Sequence, residues 1–399
     1  MKLAQRVTQI TPSATMAVKR AADELKRQGV NVIDLGPGEP DFPTPEHIKR
    51  AAEEALAQNF TKYTAETGIW ELRDAIAQKY NREYNTRYTA ENVLVTSGAK
   101  HALYNIAVAL FEPGDEVLIP VPYWVSFPEQ IKLAGARPVF VPTGEDFRLT
   151  ADLIREHVTQ HTKALILNSP NNPAGTVLDR QRLQAIIELA QRHKLWVIYD
   201  ECYEKFLYEG EHISAVEFDT ERVIAVSSAS KTYAMTGWRV GWSVAPKELT
   251  RAMAAIQSHT TSHPSSISQK AALAALTGDQ SCVTHMLVEY RRRREFVLSE
   301  LRTIEGIEFT VPQGTFFVFP KVARCFNGHI QNSVEFARYL LESAHVAVVP
   351  GVAFGAEGYV RISYATSMEQ LREGLRRLRK GVVALRSFGV RAQDHFVNL

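Results

Sequence analysis

Short apolar runs alternate with helical patterns over the middle of the chain, and this alternation constrains the fold more than any other feature. Several runs are apolar throughout, which is typical of strands covered on both faces of a sheet. Between two of them, Leu183, Ile186, Ile187 and Ala190 have the i, i+3, i+4, i+7 spacing of a helix with one buried face. The alternation predicts an α/β sheet with helices on both sides. The predicted strands are 93–96, 116–119, 138–141, 164–167, 196–199, 223–226 and 240–244.

The pattern changes after about residue 285. A long charged helix is predicted around 290–301, short strands at 307–311 and 316–319, and a final amphipathic helix over 368–383. We interpret this part as a smaller α+β domain that the N-terminal segment joins in space. The predicted domains are residues 46–285 for the large domain and residues 1–45 with 286–399 for the small one. Near the first boundary, Thr44 is predicted to cap a helix with Pro45 at its first position.

Composition excludes several classes of protein. The chain of 399 residues is 45% apolar, enough for a packed core, and its 46 basic against 44 acidic residues give no reason to expect nucleic-acid binding. The three cysteines lie far apart without metal-ligand spacing, so neither a disulfide framework nor a metal site is predicted. Because the N-terminus lacks the apolar core of a secretory signal and no 18-residue apolar run exists, we expect a cytoplasmic protein without a membrane partner.

A lysine and an arginine follow the predicted strand 223–226. Lys231 closes the stretch Ser-Ser-Ala-Ser-Lys, and ligands bind at the carboxyl ends of strands in open α/β sheets. A lysine there could be a Schiff-base nucleophile, although a surface lysine in a serine-rich loop is the alternative. Eight residues later, Arg239 offers a fork of donors suited to phosphate, to which Ser228 could add a neutral donor. A helix-cap or surface arginine is the other interpretation.

Two other strand ends carry polar side chains. Asp200 follows the strand 196–199 and could either cap a helix or pair with a buried cation such as a protonated pyridine nitrogen. Tyr203 lies three residues later, so one helical turn would bring its hydroxyl to the same side. Asn172 lies in a turn-rich loop after the strand 164–167, and its amide could bind a ring oxygen.

Three further features could serve a planar anionic ligand. Gly98, Ala99 and Lys100 join a strand to a helix, where backbone N–H groups can meet an anion, although the spacing of a P-loop is absent. Trp124 follows another strand and could stack on a planar cofactor or pack in the core. Arg361 stands between apolar neighbours and therefore needs a partner, which could be a substrate carboxylate or a structural acid.

Taken together, these residues resemble the fold-type I, class I and II aminotransferases over residues 12–367. The most specific piece is Ser228-Ala229-Ser230-Lys231 with Met235, Gly237 and Arg239 at the family's spacing. The Gly-Glu-Pro-Asp-Phe segment from Gly38, the Asn172-Pro173 loop, Asp200 with Tyr203, and Arg361 follow in the family's order. The resemblance implies the PLP-dependent transferase fold type I, with a mostly parallel seven-stranded sheet in the large domain and a smaller α+β domain.

The resemblance also implies pyridoxal 5′-phosphate (PLP) as cofactor and a role for each matched residue. Lys231 would form the Schiff base and shuttle the substrate proton, while Asp200 would keep the pyridine nitrogen protonated. The remaining cofactor contacts would be Asn172 and Tyr203 on the ring oxygen, Trp124 on the ring face, and Ser228, Arg239 and residues 98–100 on the phosphate. The substrate would meet Arg361 and Asn172 at its α-carboxylate, with Gly38 and Trp124 nearby. Tyr63 would reach the phosphate of a neighbouring subunit, which implies a homodimer with shared active sites.

The substrate implied by the resemblance is less definite. Overall similarity to the bacterial aspartate aminotransferases indicates amino transfer from aspartate to 2-oxoglutarate by a ping-pong mechanism. Val108 stands where we expect some relatives to carry a lysine for the side-chain carboxylate, and the stretch 258–262 lacks the arginine of another branch. Aromatic or broad specificity is therefore an alternative. A PLP-dependent lyase or synthase is another, because reaction type depends on substrate orientation, whereas a PLP-sensing regulator would need an appended DNA-binding domain.

Overall fold

The computed structural model describes residues 3–394, which form twelve strands and fourteen α-helices. The strands are β1 (Ile33–Asp34), β2 (Val93–Thr96), β3 (Glu116–Val121), β4 (Arg137–Pro142), β5 (Thr162–Asn168), β6 (Trp196–Asp200), β7 (Val223–Ser228), β8 (Gly241–Val244), β9 (Phe317–Val318), β10 (Val346–Ala347), β11 (Val349–Pro350) and β12 (Val360–Ser363). The helices are α1 (Gln5–Thr8), α2 (Ala14–Arg27), α3 (Glu46–Ala57), α4 (Trp70–Tyr84), α5 (Ala99–Leu110), α6 (Ser126–Leu133), α7 (Ala151–Arg155), α8 (Arg180–Arg192), α9 (Ala229–Thr232), α10 (Lys247–Ser258), α11 (Ser266–Thr277), α12 (Ser281–Leu301), α13 (Ser333–Ala344) and α14 (Met368–Asp394).

Seven strands form the central sheet in the order β2-β8-β7-β6-β5-β3-β4. Strand β8 is antiparallel to β2 and β7, and the other neighbours are parallel. All seven predicted strands are confirmed, and most extend one or two residues beyond the predicted bounds. The register sets Asn168 beside Asp200 and Asp200 beside Val226, so three carboxyl ends lie side by side. This edge receives the loops that carry the predicted site residues.

Helices cover both faces of the sheet, and the predicted stripe on α8 is confirmed. Leu183, Ile186, Ile187 and Ala190 are all buried, and their core also contains side chains from β5 and β6. A second core on the opposite face contains Ile106 of α5 together with other residues of the same strands. Strands buried on both faces are apolar throughout, which is why the sequence pattern located them.

The chain after α12 builds smaller sheets. Strands β11, β12 and β9 form a three-stranded antiparallel sheet, and β10 pairs in parallel with β1 from the N-terminal segment. The predicted strand at 307–311 is wrong. Glu308 exchanges backbone hydrogen bonds with Lys321, but by Gln313 the backbone N–H already donates to the carbonyl of Gly175, so no ladder can continue.

The predicted cap at Thr44 is also wrong. Its hydroxyl donates to the carbonyl of Ala234 at 2.7 Å and accepts from the indole of Trp238 at 2.9 Å. Tertiary partners therefore occupy the oxygen that would have capped the helix. Pro45 stands at the cap position, and α3 begins at Glu46.

The predicted C-terminal helix is confirmed and continues beyond residue 383 as α14. Leu371, Leu375, Leu378 and Val382 form its buried stripe and pack into the core of the small sheets. Among the helices of residues 3–394, none combines the length and apolar character needed to cross a membrane.

Candidate active site

Lys231 lies on α9, directly beyond the carboxyl end of β7. Its Nζ donates to the carbonyl of Gly38 at 2.5 Å and stands 5.9 Å from the centre of the Tyr203 ring. Burial lowers the pKa of Lys231 to about 8. A lysine with a lowered pKa spends more time as the neutral amine, which is the nucleophilic form.

Asp200 ends β6 and is 5% exposed. Burial raises its pKa to about 6, while a hydrogen bond of 3.1 Å from the backbone N–H of Cys202 acts in the opposite direction. No ion pair of residues 3–394 includes Asp200. A buried carboxylate without a cation is costly, so this position suits a cationic ligand group.

The predicted helix turn after Asp200 is replaced by two successive turns. The backbone N–H of Glu204 donates to Glu201 at 2.9 Å, and that of Phe206 donates to Tyr203 at 2.8 Å. The buried Tyr203 ring packs edge-on against the neighbouring rings of Phe316 and Phe317. Asp200 and Tyr203 therefore both lie near Lys231, by a different local structure from the one predicted.

Arg361 comes from β12 and is 2% exposed. Its Nη1 donates to Asn172 Oδ1 at 2.9 Å and its Nη2 to the carbonyl of Gly36 at 2.8 Å, while its Nε has no partner. The guanidinium carbon stands 4.3 Å from the centre of the Phe317 ring. Within the described chain Arg361 pairs with neutral groups only, so its charge is available for a carboxylate of a ligand.

An anion cradle lies where α5 begins. Gly98 is the cap of α5 with φ +85°, and a Cβ at that position would collide with the guanidinium of Arg239. Arg239 itself has a left-handed backbone, φ 55°, and donates to the carbonyls of Thr236 and Ser97. The backbone N–H groups at the start of α5, such as that of Ala99, therefore lie close to the Arg239 guanidinium. A helix N-terminus beside a cation is an arrangement that binds anions.

Lys100 was predicted to contribute only its backbone, but its side chain also faces the site. Its Nζ stands 5.0 Å from the ring centre of Trp124. It lines a cavity of about 480 Å³ with Ser13, His101 and Arg239. Burial and the Arg239 charge lower the pKa of Lys100. In the sequence, the only indication of this second cation beside Arg239 was that Lys100 falls in the first turn of α5.

Val108 is not in a position to serve this cavity. It lies in the second half of α5, about 12 Å from Lys100 along the helix axis, and is 38% exposed. Val108 is not among the residues that line the cavity beside Lys100.

Tyr63 lies apart from the other predicted residues within one chain. It is 92% exposed, and its ring meets the edge of His263 at 5.7 Å. His263 in turn accepts a hydrogen bond from the backbone N–H of Thr64 at 3.2 Å. The hydroxyl of Tyr63 has no hydrogen-bond partner within residues 3–394, so an ordered loop presents a free phenol on the surface.

A buried polar network, missed by sequence reasoning, anchors the turn that carries Asp200 and Tyr203. Glu201 accepts from Tyr80 at 2.5 Å and pairs with His212 at 2.9 Å. Glu204 pairs with Lys79 at 2.8 Å. Glu201, Glu204 and His212 could surround an ion, but protein partners already bond both oxygens of Glu201 and one oxygen of Glu204. The only signal was a glutamate directly after each of two site residues.

Residues 30–378 match the model of the family described as aminotransferase class I and II. The chain belongs to this family. It is 42% identical over 392 residues to the aspartate/prephenate aminotransferase of Nitrosomonas europaea, covering 95% of this chain and 99% of that one. It is 46% identical to the enzyme of the same name from Thermus thermophilus, covering 94% and 97%. The solved aspartate aminotransferase of Thermus thermophilus with maleate superposes with a TM-score of 0.92 at 44% identity, covering 96% and 100%.

Class I and II aminotransferases depend on PLP, and this aminotransferase has a site that fits that group. Lys231 can bond an aldehyde, Asp200 can pair with a protonated ring nitrogen, and the cradle formed by Gly98 and Arg239 can receive a phosphate. The positive φ of 85° at residue 98 explains why this position needs glycine, and a Cβ there would also displace the guanidinium of Arg239.

Proposed function

We propose that this aminotransferase transfers the amino group of L-aspartate to 2-oxoglutarate by a ping-pong mechanism. The observation that carries the proposal is a pair of cations that have no acidic partner among residues 3–394. Arg361 is buried among neutral groups, and Lys100 rests on Trp124. Aspartate and 2-oxoglutarate each bear two carboxylates, so one cation for each carboxylate would match them. The names of the relatives support the same substrate.

Lys231 would hold the cofactor covalently and later move the substrate proton. When bound, the cofactor supplies an electron sink for the substrate α-carbon. A pKa of about 8 makes the neutral amine of Lys231 accessible near neutral pH, which favours both attack on a carbonyl and acceptance of a proton. Asp200 would hold a proton on the ring nitrogen, because its carboxylate gains a partner only when that nitrogen is charged.

Several residues would hold the cofactor and exclude other orientations. Ser228, Arg239 and the backbone of residues 98–100 would bind the phosphate, and Trp124 would cover one ring face. Asn172 and Tyr203 would meet the ring oxygen. Asn172 already accepts from Arg361, so it would also keep that guanidinium in place.

Arg361 would orient the substrate through its α-carboxylate. Gly36 and Asn172 fix two edges of the guanidinium, and the Nε edge is left for a ligand. With the carboxylate held there and Gly38 nearby, the bond to the α-hydrogen would be turned toward Lys231. Orientation of this kind would favour loss of the α-proton, the first step of transamination, over loss of the α-carboxylate.

Prephenate is a second candidate substrate. Two relatives carry it in their names, and the cavity beside Lys100 measures about 480 Å³, which exceeds what aspartate fills. Prephenate also bears a second carboxylate, so Lys100 would serve both substrates. An enzyme that favours neutral aromatic amino acids would not need this cation.

We also propose a homodimer in which Tyr63 of each subunit reaches the phosphate site of its partner. The exposed phenol on an ordered loop supports this arrangement. The division into a large domain, 46–285, and a small domain formed by 1–45 and 286–399 remains a proposal, which the pairing of β1 with β10 supports. The cytoplasmic location stays a prediction.

Single-turnover absorbance changes test the proposed reaction directly. Mixed with the purified enzyme, aspartate and glutamate should convert the bound cofactor to its amino form, and 2-oxoglutarate should restore it. Phenylalanine, alanine and prephenate with an amino donor would complete the panel. Release of pyruvate or ammonia from aspartate, without restoration by a 2-oxo acid, would contradict transamination.

A further inference from the structure

The side chain of Tyr63 is supported at one place. Within residues 3–394, neither its backbone nor its side chain takes part in a hydrogen bond, and its ring meets one other ring, that of His263, at 5.7 Å. His263 lies in the segment between α10 and α11 and is partly buried. The position of the Tyr63 phenol therefore depends on what His263 holds and on what holds His263.

His263 fastens the residue that follows Tyr63 by a hydrogen bond. Its Nε2 accepts from the backbone N–H of Thr64 at 3.2 Å, and its Nδ1 lies 2.6 Å from the carbonyl oxygen of Pro264. An amide N–H can only donate and a carbonyl can only accept, so the ring that makes both bonds carries its proton on Nδ1. The imidazole thus joins Thr64 to the segment that precedes α11.

A buried glutamine closes these hydrogen bonds into a ring. Gln269 on α11 is fully buried, and its Nε2 donates to the Thr64 hydroxyl at 3.1 Å and to the same Pro264 carbonyl at 2.9 Å. Its Oε1 accepts from the backbone N–H of Ile69 at 2.7 Å. Two side chains therefore hold the loop at Thr64, and one of them also holds it at Ile69.

We propose that His263 is a positioning residue that fixes the Tyr63 phenol for the phosphate site of the partner subunit. The proposal rests on the homodimer with shared active sites proposed above. Because Tyr63 would act on the cofactor of the other subunit, the effect of His263 should appear in the neighbouring site and not in its own. Sequence reasoning missed this role, since 199 positions separate His263 from Thr64 and no local pattern links them.

A change at residue 263 also has a route to the site of its own chain. Thr261 lines the cavity beside Lys100, and the backbone N–H of His263 donates to the Thr261 carbonyl at 2.9 Å. A loss of cofactor affinity in a dimer of two identical variants would therefore not show which site is affected. Dimers of two different subunits separate the two routes, since each can be built with one working lysine.

Three single variants of the full-length enzyme define what the His263 side chain contributes. His263→Ala removes the acceptor and the ring, His263→Gln keeps an acceptor oxygen on a side chain of similar length, and His193→Ala removes an exposed histidine at the end of α8 as the matched control. For each, we would measure the PLP dissociation constant from the absorbance of cofactor bonded to Lys231. Amide hydrogen exchange at Thr64 in the cofactor-free protein would report the loop, and melting temperature would report folding.

His263→Ala should bind PLP about 2–12-fold more weakly, because the freed Tyr63 side chain must then be ordered when the cofactor binds. Exchange at Thr64 should become faster, because its N–H loses its acceptor. His263→Gln and His193→Ala should behave as the wild type does. Tyr63→Phe should weaken PLP binding more than His263→Ala, about 10–150-fold, because it removes the bond to the phosphate itself.

Two hybrid dimers show where the effect lies. In the first, a Lys231→Ala subunit is paired with a His263→Ala subunit. The one working lysine then receives Tyr63 from a chain with intact His263, and its PLP affinity should be that of the wild type. In the second, a subunit with both substitutions is paired with a wild-type subunit. The working lysine then receives a poorly held Tyr63 and should bind PLP about 2–12-fold more weakly.

The opposite pattern, a weak first hybrid and a normal second one, would overturn the role of His263 in the partner's site. Unchanged PLP affinity in His263→Ala would do the same, as would a His263→Gln protein as weak as His263→Ala. Pairing Lys231→Ala with Tyr63→Phe distinguishes these failures from a failure of the proposed dimer. If the working lysine of that hybrid does not recover PLP affinity, Tyr63 does not reach across the interface, and the shared site itself is refuted.

Discussion

Arg361→Lys should lower kcat/KM for every amino acid substrate about 10–150-fold. The guanidinium has five N–H donors, of which two bond Asn172 and Gly36. Three donors remain, enough for a two-bond fork with a carboxylate. Lysine keeps the charge but cannot form the fork, so about one charge-assisted hydrogen bond of roughly 1.5–3 kcal/mol is lost. Because the fork also orients the substrate, kcat should fall and KM should rise.

The assay is steady-state kinetics with aspartate and with phenylalanine, fitting kcat and KM separately. Arg324→Lys is the matched control, since Arg324 is exposed and pairs with Glu308 away from the site. Melting temperatures should be compared for both variants, because Arg361 is buried and packs on Phe317 and its loss of shape could unfold the protein. A folded Arg361→Lys with intact PLP absorbance is needed for the comparison.

A loss of kcat/KM that differs between aspartate and phenylalanine would refute the assignment of Arg361 to the α-carboxylate. If Arg361→Lys impairs aspartate and leaves phenylalanine unchanged, Arg361 binds the distal carboxylate and the proposed orientation is reversed. If neither substrate is affected while the control also stays active, the free Nε edge does not receive substrate at all.

Four further results are expected. Borohydride should fix PLP to Lys231, and Lys231→Ala should lose activity by more than the roughly 10²–10⁴-fold that acid–base catalysis contributes; a labelled peptide containing another lysine would contradict this. Mixed dimers of Lys231→Ala with Tyr63→Phe should regain activity at one site in two, and proven subunit exchange without recovery would count against the shared site. Lys100→Met should reduce kcat/KM for aspartate about 10–150-fold and spare phenylalanine, and equal loss for both would remove Lys100 from substrate selection. Burial raises the pKa of Asp200 from 3.8 to about 6, so the folded state favours the protonated carboxyl. As the pH rises from 4 to 6, the cofactor-free protein should therefore lose about 3 kcal/mol of unfolding free energy, and Asp200→Asn should not. The same dependence of unfolding free energy on pH in both proteins would disprove this.

The central sheet was predictable because most of its strands are buried on both faces and have apolar interiors, with polar residues mainly at their ends. The polar residues at strand ends were also found, since parallel strands bring their carboxyl ends to one edge and the chemistry of lysine, aspartate and arginine is distinctive there. The predicted helix cap at Thr44 was wrong because contacts with distant parts of the chain decided its position. A local capping pattern was outweighed by Ala234 and Trp238, almost two hundred residues away in the chain.

Buried charges were the least predictable part of the site. Glu201 and Glu204 look like surface residues in the sequence, and only the fold supplies the partners that permit their burial. Lys100 was recognised as part of the helix start, but the direction of its side chain depends on Trp124 from another strand end. Residues whose role depends on distant partners cannot be assigned from local pattern.

The segment from Gly36 to Gly38 holds two functional cations by backbone carbonyls alone. Gly38 accepts from Lys231 and Gly36 accepts from Arg361, so one short stretch of main chain contacts both the proposed Schiff-base lysine and the proposed carboxylate-binding arginine. When Lys231 is engaged elsewhere, the Gly38 carbonyl loses its donor while the Gly36 bond persists. With the cofactor bound, we therefore expect Gly38 to become more mobile than Gly36. Substrate bound to Arg361 should restrict the segment again. Side-chain mutations cannot remove these carbonyls, which makes the stretch resistant to substitution and sensitive to any insertion that shifts its register.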